Sequence, residues 1–338
     1  MTPAVWPEPP PGTRWLLRLP NWVGDAVMVL PALRALPRQD QRWLGAAHPR
    51  VAALYEASGL FEALLPARGR RAPWELRSAL RAFRPERAVV FTGAASGALL
   101  ARVSGARLRL GRSRGLPGTL LTHRLAPSAR NRSLWRDFLE VAGAAGGRDD
   151  GAPDFGLDPG AESRAAADGL LASLASPVAL APGSAYGPAK RWPLDRFAAA
   201  ARSLREAGRD VVALGGPRER SLGGVLAGAG ARDLTGRTSL LEAVAVLARC
   251  SALVTNDSGA LHLGRAAGVP VVAVFGSSSP DWTGPASHEG EALVHDVPCR
   301  PCFRRRCPLG GADHLACLRG VSVEAVVRAV ARVEGAGR

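Results

Sequence analysis

The chain has 338 residues, 47% of them hydrophobic, enough apolar material for one large domain or two of medium size. Its 44 basic residues outnumber 29 acidic ones for a formal net charge of +15, and every basic residue except Lys190 is an arginine. No run of about eighteen apolar residues occurs, and the proline-rich start at residues 1–12 has no apolar segment, so neither a membrane span nor a secretory signal is expected.

In chain order, the pattern predicts a strand over residues 14–19, a loop over 20–24, a helix over 25–36 and a strand over 42–46. A helix follows over 73–83, a strand over 87–91, a helix over 96–104, a short strand over 108–110 and a long helix over 131–144. Residues 145–160 are rich in Gly, Pro and Asp, a breaker stretch that marks a domain junction. The second half repeats the alternation. Strands are expected over 177–181, 210–214, 252–255 and 269–274, and helices over 194–207, 218–229, 239–249, 259–267 and 321–333. Strand and helix alternating in this way predict a parallel sheet covered on both faces in each half. Two doubly wound halves put ligands outside the carboxyl ends of their strands. The domains are drawn at 1–158 and 159–338, with the last helix able to pack back on the first.

Two stretches carry the most chemistry. PGSAYGPAKRWP at 182–193 runs from a strand through a loop holding the chain's one lysine. TNDSGALH at 255–262 brings Ser258, Gly259 and Ala260 to a helix start, where free backbone N–H groups and the helix dipole favour an anion. Two such loops in one α/β half describe a cradle for a diphosphate. Lys190 is the phosphate clamp in this reading, a compact ammonium where a planar arginine fork is not used; the alternative is a surface lysine. Ser184 donates either to a phosphate oxygen or to its own turn. Trp192 anchors the core or stacks on a base. Asp257, read from the residues alone, caps the following helix, and His262 is a second phosphate donor or a core histidine. Asp25 opens a helix after a strand and serves as a general base or as that helix's cap.

Together with SSPDWTGP at 278–285, these segments resemble the signatures of bacterial heptosyltransferases. They are nearest the ADP-heptose:lipopolysaccharide heptosyltransferase II type of glycosyltransferase family 9. LPNWVGDAVMVLPALRAL at 19–36 is similar to that family's N-terminal segment, and LGGPRE at 214–219, with Gly215 and Glu219, to its nucleotide-edge loop. The resemblance implies a GT-B architecture, two Rossmann-like doubly wound domains facing across a cleft: an N-terminal acceptor-binding domain and a C-terminal nucleotide-sugar-binding one. It implies inverting transfer of a heptose or related sugar from an ADP-sugar to a lipopolysaccharide-core-like or other envelope saccharide, with no required metal. Asp25 becomes the base, Asp257 the partner of the donor sugar's hydroxyls, and Glu219 the holder of the ribose. Asp281 either approaches the donor or organises a turn. A cytoplasmic location follows, with peripheral association at the inner membrane face through basic charge.

Cys299, Cys302, Cys307 and Cys317 form C-x2-C-x4-C-x9-C, with His314 inside the last interval. The expected roles are a structural zinc held by four thiolates or by three and His314, an iron–sulfur cluster, free or redox-active thiols, or disulfides. Cys250 stands apart as packing. The competing functions are a nucleotide-sugar epimerase of the same fold and an arginine-rich nucleic-acid-binding protein with a cysteine–metal knuckle. Only 5% of residues are aromatic, no base-stacking motif occurs and the basic charge forms no stripe, so no nucleic-acid partner is expected.

Overall fold

The computed structural model describes residues 6–113, 115–128, 132–148 and 151–336. The chain divides into two compact units, Met1–Phe155 and Gly156–Arg338.

The first unit is built on one six-stranded sheet: β1 (Arg14–Arg18), β2 (Arg42–Ala47), β3 (Ala63–Pro66), β4 (Arg87–Val90), β5 (Leu108–Arg112) and β6 (His123–Leu125). The second carries β7 (Val178–Ala181), β8 (Val211–Ala213), β9 (Arg232–Asp233), β10 (Ala252–Asn256), β11 (Val271–Phe275) and β12 (Gly290–Val294). The spatial orders are β3-β2-β1-β4-β5-β6 and β12-β11-β10-β7-β8-β9. Numbered within its own unit, the second sheet has the same order as the first, and all pairings are parallel. The central strands are continuous apolar runs because helices cover both faces. Leu16, Leu44, Ala88 and Val90 lie in one core, and Val178, Leu180, Val254, Val272 and Val274 in the other.

This order has one consequence for function. The direction of winding reverses between β1 and β4 and between β7 and β10, and at such switch points the loops leaving adjacent strands diverge to leave a crevice. Asp25 lies at the start of the helix that follows β1, and Lys190 and Asp257 lie in the connections after β7 and β10.

Several elements differ from expectation. The helix expected over 25–36 begins earlier and is two, Val23–Met28 and Leu30–Ala35, broken at Val29 ahead of Pro31. Gly24 is therefore helical rather than part of a turn. The helices Pro49–Ala57 and Gly160–Leu171 and the strands β3, β6, β9 and β12 were not legible. The last helix, Val323–Ala336, packs on the helix Leu194–Glu206 and on β10–β12 of its own unit.

Candidate functional site

In the second unit, β10 ends in buried Asn256 and is followed by buried Asp257, and each organises a neighbouring loop. Asn256 accepts the Trp192 N–H at 2.8 Å and donates to the Pro182 carbonyl at 2.7 Å. One side chain thus pins both ends of the 182–192 loop. Asp257 is only 4% exposed. Its carboxylate pairs with Lys190 Nζ through Oδ2, accepts Ser278 Oγ at the same oxygen, and accepts Thr283 Oγ1 at 2.9 Å through Oδ1. A buried carboxylate needs this many donors to offset its lost hydration. Asp257 is therefore not the helix cap. Ser258 caps Gly259–Ala267, its hydroxyl accepting the Ala260 N–H at 3.3 Å. Ala260's amide, expected to face an anion, is held by that cap.

Lys190 is no surface lysine. Its side chain is 14% exposed, and its ammonium lies 4.8 Å from the Tyr186 ring centroid. Its link to Asp257, which immediately precedes Ser258, brings the lysine and the helix start into one region.

Three buried polar atoms around this pair lack partners: Ser184 Oγ, Ser277 Oγ and His262 Nδ1. Orphaned buried polar atoms are rare and cost free energy, so three in one neighbourhood mark a place where a polar ligand fits. His262 is buried, and burial followed by the repulsion of Arg265 pushes its pKa down to about 3. It is neutral at physiological pH, able to donate or accept one hydrogen bond but adding no charge.

Glu219 closes one side. Its Oε2 accepts the Gly216 N–H at 2.8 Å, and a Cβ built on Gly183 would stand 1.7 Å from its Oε1. Gly183 and Gly215 are glycines because the Glu219 side chain occupies the space a Cβ needs. Asp281 is exposed and bonds the Ser279 hydroxyl at 3.0 Å, which makes it a turn organiser. Trp192 is 1% exposed, donates to the Val321 carbonyl at 3.0 Å and meets Phe197 edge-on, so it anchors the core.

The cysteine-rich segment has a structural role the motif alone did not disclose. Phe303 N–H donates to the Ser277 carbonyl at 2.7 Å, Tyr186 Oη to the Phe303 carbonyl at 2.6 Å, and Ala189 N–H to the Arg305 carbonyl at 3.2 Å. Arg300 holds the Gly276 and Ser278 carbonyls at 2.8 and 3.2 Å. The segment is a strap that braces both the lysine loop and the end of β11. All five cysteines are free thiols. Burial raises the Cys317 pKa, helped by the nearby Cys299 and Cys302, while Cys307 Sγ accepts the Leu315 N–H and His314 Nδ1 lies 2.9 Å from the Leu309 carbonyl. Among the described residues no group of three or more His, Cys, Asp or Glu could hold a metal ion. Cys250 is packing: its thiol donates to the Val246 carbonyl, and burial pushes its pKa up to about 12.

In the first unit, Asp25 lies in the first turn of Val23–Met28, whose cap position belongs to Trp22. Asp25 is half-buried. The Tyr55 phenol, buried and held well above its usual range by burial first, also feels the charges of Asp25 and Arg18. Tyr55 Oη donates to the Pro20 carbonyl at 2.9 Å, and Arg18 holds the Ala46 carbonyl and Asn21 Oδ1, both at 3.0 Å. These contacts fix the loop that presents Asp25.

Glycosyltransferase family 9 (heptosyltransferase) matches residues 73–312. Lipopolysaccharide heptosyltransferase 2 of Salmonella typhimurium is 38% identical over 148 residues, and the aligned span covers 42% of each chain. The chain thus spans about half or less of the length of the curated relatives it matches. Among solved structures, ADP-heptose lps heptosyltransferase II of E. coli is 25% identical with a TM-score of 0.77, over 95% of this chain and 98% of that one. A family 9 glycosyl transferase from Veillonella parvula shares the fold at a TM-score of 0.85 and 21% identity, over 97% and 98% of the two chains. With the family's pattern running through most of its length, this chain belongs to glycosyltransferase family 9.

Proposed function

We propose that the protein is an inverting heptosyltransferase that moves a heptose or related sugar from an ADP-sugar to a lipopolysaccharide-core-like saccharide. The observation that carries this reading is the Lys190–Asp257 pair at the second sheet's switch point, surrounded by the unsatisfied Ser184, Ser277 and His262. The names of the relatives point to the donor and acceptor. In the reaction the acceptor oxygen attacks the anomeric carbon, the carbon–oxygen bond to the diphosphate breaks, and the acceptor hydroxyl proton passes to Asp25. Lys190 and the helix start at Ser258 and Gly259 meet the charge that grows on the departing diphosphate. Ser184 and His262 supply hydrogen bonds, Asp257 orients the lysine and reaches the donor sugar, and Glu219 with Gly215 borders the ribose. The charge-bearing step is served by protein groups alone, so no cofactor is assigned to it.

Among the described residues no helix is long and apolar enough to cross a membrane. A nucleotide-sugar donor and free thiols fit a cytoplasmic setting. The net charge of +15 favours peripheral contact with an anionic membrane face.

The first test is a thermal-shift panel of ADP-, GDP- and UDP-sugars, in which the ADP-sugar raises the melting temperature most. The second is Asp25→Asn, which lowers kcat by roughly 10²–10⁴-fold and leaves ADP binding unchanged. An unshifted panel, or an Asp25 variant of normal turnover, overturns the assignment.

A further inference from the structure

We infer that Arg305, in the cysteine-rich strap, is a second cation for the donor's diphosphate, carried on the Tyr186 ring beside Lys190. The inference rests on the transferase reading, and it names a binding residue that lies outside every motif of the sequence.

The charge of the site poses the question. Lys190 pairs with the Asp257 carboxylate, so the two together carry no net charge. His262 is neutral, and Glu219 adds a further carboxylate on the Gly183 side. A diphosphate brings a negative charge on each phosphate. Backbone amides and a helix start answer it with partial charges only. Another full positive charge has to come from arginine, because Lys190 is the chain's one lysine.

Arg305 meets that need. The Tyr186 ring centroid lies 4.8 Å from the Lys190 ammonium and 5.3 Å from the Arg305 guanidinium carbon, so one ring carries both cations. Arg305 Nε donates to the Tyr186 carbonyl at 2.9 Å, and Tyr186 Oη is tied to the Phe303 carbonyl at 2.6 Å. The Arg305 carbonyl accepts the Ala189 N–H at 3.2 Å and fills the space that a Cβ on Gly187 would need. With φ at 155°, Gly187 is the residue that lets the strap close this tightly on the lysine loop.

The guanidinium is held at one edge and open at the other. Arg305 is exposed, and among the described residues it forms no ion pair. Nε is engaged by the Tyr186 carbonyl, which leaves the two terminal nitrogens for a phosphate, the ligand a guanidinium fork suits best. A side chain already fixed at Nε and against a ring loses little further freedom when the ligand arrives. The flanking Arg304 and Arg306 are exposed as well, but neither stacks on Tyr186. They carry the same charge without the same hold.

The test is titration calorimetry on the full chain with ADP, AMP and adenosine at one salt concentration. Arg305→Gln should weaken ADP binding by about 10-fold and leave adenosine binding unchanged. An equal loss for AMP puts Arg305 on the first phosphate, and a loss confined to ADP puts it on the second. Arg306→Gln, which removes the same charge one residue along, should bind ADP like the parent. Tyr186→Leu should weaken ADP by at least about 10-fold, and Tyr186→Phe, which keeps the ring, should restore most of it. Three results overturn the inference: Arg305→Gln that binds ADP like the parent, equal losses for ADP and adenosine, which mark a brace of the loop only, or an equal loss in Arg306→Gln, which marks diffuse charge only. A parent protein that binds no ADP brings down the transferase reading and this inference with it. A parent that binds ADP no better than Arg305→Gln does brings down this inference alone.

Discussion

Lys190 and Asp257 offer the sharpest test of how the site is held. Lys190→Met would leave a carboxylate that is 4% exposed with only the Ser278 and Thr283 hydroxyls as donors. Breaking a buried pair from one side costs about 3–5 kcal/mol, and the two hydroxyl bonds that remain put this case at the low end, about 3 kcal/mol. Asp257→Asn strands a lysine that is 14% exposed and can turn its ammonium toward water. That change should cost less, about 2 kcal/mol. The double variant buries no unpaired charge and should cost about 2 kcal/mol as well, so the cycle returns a coupling of about 3 kcal/mol. Because the chain has two units, a single unfolding curve would blur the result. Native-state hydrogen exchange at the amides of β10 reports the second unit by itself. Costs that add to within about 0.5 kcal/mol would refute the claim that the two groups depend on each other.

Two further outcomes follow from the same geometry. Gly183→Ala should keep the fold, because the group its Cβ meets is the end of the Glu219 side chain, but should displace that carboxylate. ADP affinity measured by calorimetry should drop about 10-fold, and Gly183→Ala added to Glu219→Ala should change little more; unchanged affinity in the single variant would break the link. His262 titrates at about 3 in the folded protein against an ordinary 6.5, so the unfolded chain binds the proton first. Its neutral burial gives stability that is whole above pH 6.5 and is lost on acidification toward 3, at about 1.4 kcal/mol per pH unit. Between pH 6.5 and 5 the parent should therefore lose about 2 kcal/mol more than His262→Gln does, and parallel pH profiles of denaturant unfolding would contradict this.

The fold was legible where strands run through a fully covered sheet. β7 is wholly apolar, β1 and β10 carry apolar cores of three residues, and the helix Gly259–Ala267 stands at the predicted bounds. The edges were not. β12 has no buried residue and β9 is two residues long, so neither carries an alternating or continuous apolar signature. The helix Pro49–Ala57 follows β2 after only one residue, and its proline occupies the first turn, where proline is favoured.

The site divides along the same line. Lys190, Asp257, Ser258 and His262 announce themselves because a charged or polar residue beside a strand end needs a reason. Asn256, Ser277, Ser278, Thr283 and Arg300 do not, since each acts through an oxygen or a carbonyl far away in sequence. Asn256 could have been suspected: an amide closing an otherwise apolar strand must find partners, and the nearest unpaired backbone groups belong to the loop after the neighbouring strand. Arg300 was hidden inside a cysteine pattern that drew attention to its sulfurs. The backbone of that segment does the bracing, through Phe303, Arg305 and the Arg300 side chain, and it grips the lysine loop from one side and the Ser277–Ser278 turn from the other. The position of Lys190 is thus set by three segments distant in sequence. A motif can identify such a lysine, but only the folded chain shows what holds it.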